Sequence, residues 1–180
     1  WGVWSRTPHG FPSGMDTLAA NIASAGLEAE IWMSSFNAMT NTPLLTEHPE
    51  WIAEIEPIMH VLLQPGSVPL DLTRDDVIDF VAWTGELLSS WGYVSCKFDF
   101  AYYWMFATSL DDPTTTVIEA YRRGMEAYRA GFGEEKYLIN ILLMGTNYGY
   151  VDAMRIGIDS RACWGEEEGE ECPDAHTTTG

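Results

Sequence analysis

The chain has 180 residues, 46% hydrophobic and 13% aromatic, enough for one domain with a real core and unlike the composition of a disordered protein. Its formal net charge is −18, and six of its 27 acidic residues fall between Glu166 and Asp174. That balance argues against nucleic acid, whose phosphates reward clustered Lys and Arg, and against anionic membrane surfaces, while a neutral ligand such as a sugar is compatible with it.

Residues 14 to 25, GMDTLAANIASA, have the spacing of a short amphipathic helix stopped by Gly26, and LEAEIWM then reads as a strand ending near Ser34. A long connection from 34 to 70 follows, with Pro43, Pro49, Pro57, Pro65 and Pro69 and a predicted short helix after Pro49. Connections of that length are as a rule functional or disordered, and this one holds too much Trp, Leu and Ile for disorder. LTRDDVIDFVAWTGELLSSWG predicts a long helix. Thr73 and Asp76 have capping-box spacing, Val77, Phe80, Val81, Leu87 and Leu88 form the apolar face, and Gly92 is the stop. YVSCKFDF (93–100) is the next strand; PTTTVIEAYRRGMEAYRAGFG gives another helix, KYLINILLM a strand, GTNYGY a turn and VDAMRIGID a last strand. Helices alternating with four strands point to an α/β protein with a parallel sheet. Residues 1–164 are expected to form the folded domain, and 165–180, acidic and then Thr-rich, a disordered tail.

No apolar run reaches the ~18–20 residues of a membrane span. Cys96, Cys163 and Cys172 give no disulfide framework. No leader is legible at Trp1, and without a methionine there an upstream leader or domain stays open. Localisation is likewise open, leaning cytoplasmic rather than secreted.

Charge sits in two telling places. The two-residue period of a strand sends Val94, Cys96, Phe98 and Phe100 to one face and Ser95, Lys97 and Asp99 to the other. In VDAMRIGID it aligns Arg155, Gly157 and Asp159, with Met154, Ile156 and Ile158 on the packing side. Two strands thus each end in a base followed by an aspartate on one face, and parallel α/β folds place their chemistry at strand C termini. Structural ion pairs at a sheet rim would explain the pattern. So would glycoside chemistry, in which a retaining enzyme needs two carboxyls about 5–5.5 Å apart. Other candidates are weaker. CWGEEEGEEC with His176 lacks zinc spacing, the acidic run lacks the pattern of a calcium loop, and His48 reads as loop packing. GTNYGY lacks the lysine and following helix of a phosphate loop, and no glycine-rich strand–helix turn supports a nucleotide site.

From about Trp4 to Trp164 the chain resembles the clan-D α-galactosidases of glycoside hydrolase family 36, the melibiase type. FPSGMDTLAANIASAGLEAEIWM is similar to the family's FP-x-G helix and Trp-ending strand, LLTEHPEW to its L-x-x-x-H-P-(D/E)-W, and LDLTRDDV to its LDLT-x-x-x-V. YVSCKFDF is similar to its Y-(L/V)-K-x-D-F and VDAMRIGID to its VD-x-MRIG-x-D. The resemblance implies a (β/α)8 TIM barrel, here a partial barrel of about four β/α units. It implies a retaining hydrolase of terminal α-linked galactose working through a covalent glycosyl-enzyme. Asp99 would be the nucleophile and Asp159 the general acid, then the base. Lys97 and Arg155 would contact sugar hydroxyls, Lys97 also balancing the charge of Asp99. Trp32 would be either a wall for the apolar face of the sugar or an ordinary barrel-core tryptophan. The implied partner is an oligosaccharide or glycoside, and the chemistry requires no metal and no organic cofactor.

The chain departs from the family at several points. An upstream Asp-Asp-Gly-Trp stretch has no counterpart, the family's GDW stands as Gly2, Val3 and Trp4, and LMGTNYGY replaces a Cys-Gly-Ala-Pro element. Ser95 and Cys96 stand where relatives pass directly into the lysine. A full barrel takes about 250 residues, so open sheet edges and an exposed inner face are expected. Homo-oligomerisation or missing barrel segments would complete it. The rival reading is a non-catalytic barrel fragment with at most a weak sugar-binding or subunit-assembly role.

Overall fold

The computed structural model describes residues 10–59, 65–141 and 145–157. In chain order they form α1 (Met15–Ser24), β1 (Glu30–Met33), β2 (Asn37–Met39), α2 (Pro43–Glu47), a 3₁₀ turn (Pro49–Trp51), β3 (Glu54–Ile55) and β4 (Ser67–Pro69). Then come α3 (Asp75–Ser90), β5 (Ser95–Phe98), a 3₁₀ segment (Ala101–Phe106), β6 (Ala107–Ser109), α4 (Val117–Phe132), β7 (Tyr137–Ile141) and β8 (Ala153–Arg155). Strands β1, β5, β7 and β8 lie side by side in that order, every pair parallel, as the alternation of elements predicts. Parallel neighbours need long crossovers, and α3 and α4 supply them between β1 and β5 and between β5 and β7. Among the described residues the sheet is open, with β1 and β8 at its edges.

The outer face of this sheet carries the core. Met33, Cys96, Phe98 and Leu138 are buried there. The Phe98 ring centre lies 4.6 Å from Tyr128 of α4 and 4.9 Å from Phe36, which in turn lies 5.5 Å from Tyr121. The two crossover helices touch backbone to backbone. A β-carbon on Gly85 would stand 2.7 Å from both Phe132 N and Tyr128 O, and one on Gly131 would strike the Ala82 carbonyl. Val77, Val81 and Leu88 of α3 are buried as its periodicity predicts, while Phe80 and Leu87 are only partly covered.

Helix starts show where local signals compete. Thr116 begins α4 with a full capping box: its hydroxyl accepts from the Glu119 amide, and the Glu119 carboxylate accepts from the Thr116 amide. The capping box expected from Thr73 and Asp76 does not form, and α3 begins after Arg74 with no side-chain cap. Asp71 has captured Thr73, taking its hydroxyl at 2.6 Å and its amide at 2.9 Å. Asp76 accepts from the Trp51 indole and from Arg74 instead. Gly26 and Gly92 follow α1 and α3 in left-handed backbone, where they were expected to stop them.

The long connection is an annex rather than a loop. β2 pairs antiparallel with β4 and β3 with β6, and Phe36, Leu45, Trp51 and Leu70 bury beneath them. The helix expected after Pro49 is a single 3₁₀ turn, and a short α-helix precedes that proline. Two further expectations are corrected at strand ends. Phe100 does not continue the packing face of β5, because it turns into left-handed backbone at φ 56° and ψ 11°. Ile156 is 73% exposed rather than packed, since the pairing of β8 ends at Arg155. Ile158, Asp159, Cys163, Cys172 and the predicted tail lie outside the described residues. No helix among the described residues is long and apolar enough to cross a membrane.

Candidate active site

Register sorts the inner face of the sheet into levels. Glu30, Ser95 and Tyr137 form the lowest, where the Ser95 hydroxyl donates to Glu30 Oε2 at 2.7 Å. Trp32, Lys97, Ile139 and Ala153 form the next. Continuing one residue past the Phe98–Asn140 pair sets Asp99 level with Ile141, whose partner is Arg155. Asp99 and Arg155 therefore top the same level of the sheet, with β7 between them and about 10 Å of sheet to cross.

Asp99 is closely held at this edge. It is only 8% exposed, and its amide extends the ladder to β1 by donating to Met33 O at 2.7 Å. A carboxylate so enclosed is costly unless its oxygens find partners. Oδ1 accepts from the Phe100 amide at 2.8 Å, and Oδ2 accepts from Trp32 Nε1 at 2.9 Å. Lys97 Nζ stands 3.7 Å from Oδ2, an ion pair longer than a hydrogen bond. The turn at Phe100 aims its amide at the carboxylate, in a conformation that costs a non-glycine residue about 1–2 kcal/mol. The Asn37 amide holds the outside of that turn, donating to Phe100 O at 3.0 Å and to Ser34 Oγ at 3.1 Å.

Aromatic rings line the same edge. Phe100 meets Trp32 edge-on at 5.9 Å and Tyr103 at 5.2 Å, with Tyr102 6.0 Å away. Trp32 is 38% exposed, so its ring is not part of a closed core, and its N–H is committed to Asp99. The structure thus brings Trp32, Lys97 and Asp99 into one cluster. Arg155 stands two strands away on the same level, its Nε donating to Gly157 O at 2.8 Å. Asp159 lies outside the described residues. Asn37 and the turn at Phe100 escape the sequence reading: Asn37 sits 63 residues from Phe100 in an unremarked stretch, and no local pattern announces the contact.

A thiol close to this edge is turned away from it. Cys96 points to the opposite face, where burial pushes its thiol up to about 12. Among the described residues no group of three or more His, Cys, Asp or Glu side chains is arranged to hold a metal ion.

Parallel α/β folds place their chemistry at strand C termini, and here that rim carries an enclosed carboxylate and aromatic rings. The family model described as Melibiase matches residues 1–128, and the chain belongs to that family. The resemblance drawn from its motifs is borne out. α-Galactosidase AgaA of Geobacillus stearothermophilus is 29% identical over 104 residues, which are 54% of this chain and 13% of that protein. The α-galactosidase TtGalA of Thermus thermophilus, solved with p-nitrophenyl α-D-galactopyranoside, superposes on 87% of this chain with a TM-score of 0.70 and 26% identity. The chain covers 32% of that structure. AgaB of Geobacillus stearothermophilus, at 20% identity, shares the fold over 78% of this chain and 20% of its own, with a TM-score of 0.59. The chain therefore spans a small part of the curated relative and about a third of the Thermus enzyme.

Proposed function

We propose that this chain is part of a retaining α-galactosidase, contributing about four β/α units of a TIM barrel that hydrolyses terminal α-linked galactose. The observation that carries the proposal is the Asp99 carboxylate, enclosed at a strand C terminus between Trp32, Lys97 and the Phe100 amide. Membership of the melibiase family supports the substrate class, as do neighbours solved with p-nitrophenyl α-galactoside and with stachyose. A carboxylate oxygen of Asp99 attacks the anomeric carbon while Asp159 protonates the departing oxygen, so the glycosidic bond breaks as a galactosyl ester forms. Asp159 then takes a proton from water, whose oxygen displaces Asp99 and releases galactose. Lys97 and Arg155 donate to sugar hydroxyls, and the open part of the Trp32 ring faces the apolar side of the sugar.

Nuclear magnetic resonance of the anomeric proton during hydrolysis of p-nitrophenyl α-galactoside tests the reading. Retention requires α-galactose to appear first and mutarotate afterwards; β-galactose as first product would contradict it. The rival, a non-catalytic piece that binds sugar weakly or completes a larger assembly, draws support from the open inner face, where Tyr137 is 48% exposed. It predicts binding of galactosides or self-association with no turnover.

A further inference from the structure

We infer that Asn37 is a positioning residue for Asp99, acting through the backbone of Phe100. The inference rests on Asp99 being the nucleophile. Phe100 is the only non-glycine residue at positive φ among the described residues, and such a conformation persists only where its surroundings hold it. Its two backbone groups face different ways. The N–H points to Asp99 Oδ1 at 2.8 Å, and the carbonyl accepts from Asn37 Nδ2 at 3.0 Å and from the Tyr103 amide at 3.1 Å. A carbonyl only accepts, so the nitrogen end of the Asn37 amide is the end that faces it.

The two bonds to that carbonyl do different work. The Tyr103 amide belongs to the same turn and moves with it. Asn37 is buried and sits on β2, which is paired with β4, so it anchors the turn to a separate ribbon. With the chain anchored on both sides, by the Asp99 amide on Met33 O and by the Phe100 carbonyl, relaxation of Phe100 to negative φ needs a compensating turn of the Asp99–Phe100 peptide, which would swing its N–H off the carboxylate. Asn37 opposes that relaxation through its bonds to Phe100 O and Ser34 Oγ, not through a hydrogen bond to Asp99. Its loss should therefore slow attack by Asp99 and leave sugar affinity alone.

The test uses the full chain with Asn37→Leu, close in size but without a donor, and two readouts. One is the proton shift of the amide at position 100, moved downfield by a carboxylate acceptor; the other is the rate at which a fluorinated galactosyl donor labels Asp99, set against that donor's Kd. Asn37→Leu should lose the downfield shift and slow labelling on the order of 100-fold, the scale of a small misplacement, at unchanged Kd. In a Phe100→Gly background positive φ carries no penalty, so the same substitution should cost roughly tenfold or less, a non-additivity expected of coupled neighbours. Asn37→Asp serves if the leucine variant does not fold. Its carboxylate repels the Phe100 carbonyl at neutral pH, and on protonation it becomes a donor, so as pH falls the amide shift should approach the parent's at the same pH. A folded Asn37→Leu, or Asn37→Asp at neutral pH, with the parent's amide shift and labelling rate overturns the inference. An Asn37-dependent amide shift in a parent that is never labelled would keep the positioning and sink the nucleophile.

Discussion

On the outer face of the sheet Cys96, Phe98 and Leu138 are sealed beneath helices. One residue along the same strands, Lys97, Asp99 and Ile139 face inward, where Lys97 and Ile139 stay partly open and Asp99 is gripped by directed donors. Phe98 and Asp99 are neighbours in the chain and are stabilised in unrelated ways. Phe98 gains from area and ring contact with Phe36 and Tyr128. Asp99 gains only what its partners return against the cost of enclosing charge. The difference teaches a division of labour: steric change on the outer side should unfold the protein, and chemical change on the inner side should silence it while leaving it folded.

Asp99→Asn should break the inner face most completely. It keeps the shape of the side chain and removes the carboxylate proposed as the nucleophile, so hydrolysis should fall on the order of 10⁴-fold or more, while the thermal unfolding midpoint stays close to the parent's. A collapsed midpoint would mean that the inner face also carries the fold, and the division would be lost. Gly131→Ala makes the opposite change. With Ala82 O in the path of the new methyl, denaturant titration should find a loss of about 3 kcal/mol, the upper end for overpacking, with the labelling rate of the folded fraction unaltered.

Trp32→Phe sharpens the comparison, because it keeps a ring and deletes the donor to Asp99 Oδ2. A hydrogen bond to a charged group is worth about 1.5–3 kcal/mol, so labelling of Asp99 should slow roughly 10- to 100-fold with little change in unfolding. The smallest effect belongs to neither face. Asp112 accepts from the Thr114 hydroxyl, the Thr115 hydroxyl and the Thr114 amide, which hold its carboxyl at about 2 against an ordinary 3.8. The folded form thus has the lower value, so the contribution is whole above about 4 and is lost as pH falls through about 2. Melting curves of the parent and Asp112→Asn should differ slightly at pH 6 and converge towards pH 2.

The legible parts of the molecule are those with a local period. Alternation alone separates Cys96 and Phe98 from Lys97 and Asp99, and helices alternating with strands foretell the parallel sheet. Thr73 and Asp76 match a capping box in sequence, yet Asp71 intercepts the threonine, a competition between neighbours that spacing does not reveal. The annex around Trp51 is hidden because its strands are two or three residues long, too short for a period to show. The candidate site divides in the same way. Lys97 and Asp99 announce themselves by position, whereas Trp32 reaches Asp99 across 67 residues of chain and Asn37 reaches Phe100 across 63. Those contacts exist only once the strands have been laid side by side.

The most direct measurement is mass spectrometry of the chain after reaction with a fluorinated α-galactosyl donor that accumulates the glycosyl-enzyme, first on intact protein and then on its peptides. A single adduct on the peptide containing Asp99, absent from Asp99→Asn, is the predicted result. An adduct on another residue, or none from protein that still unfolds cooperatively, would contradict Asp99 as the nucleophile.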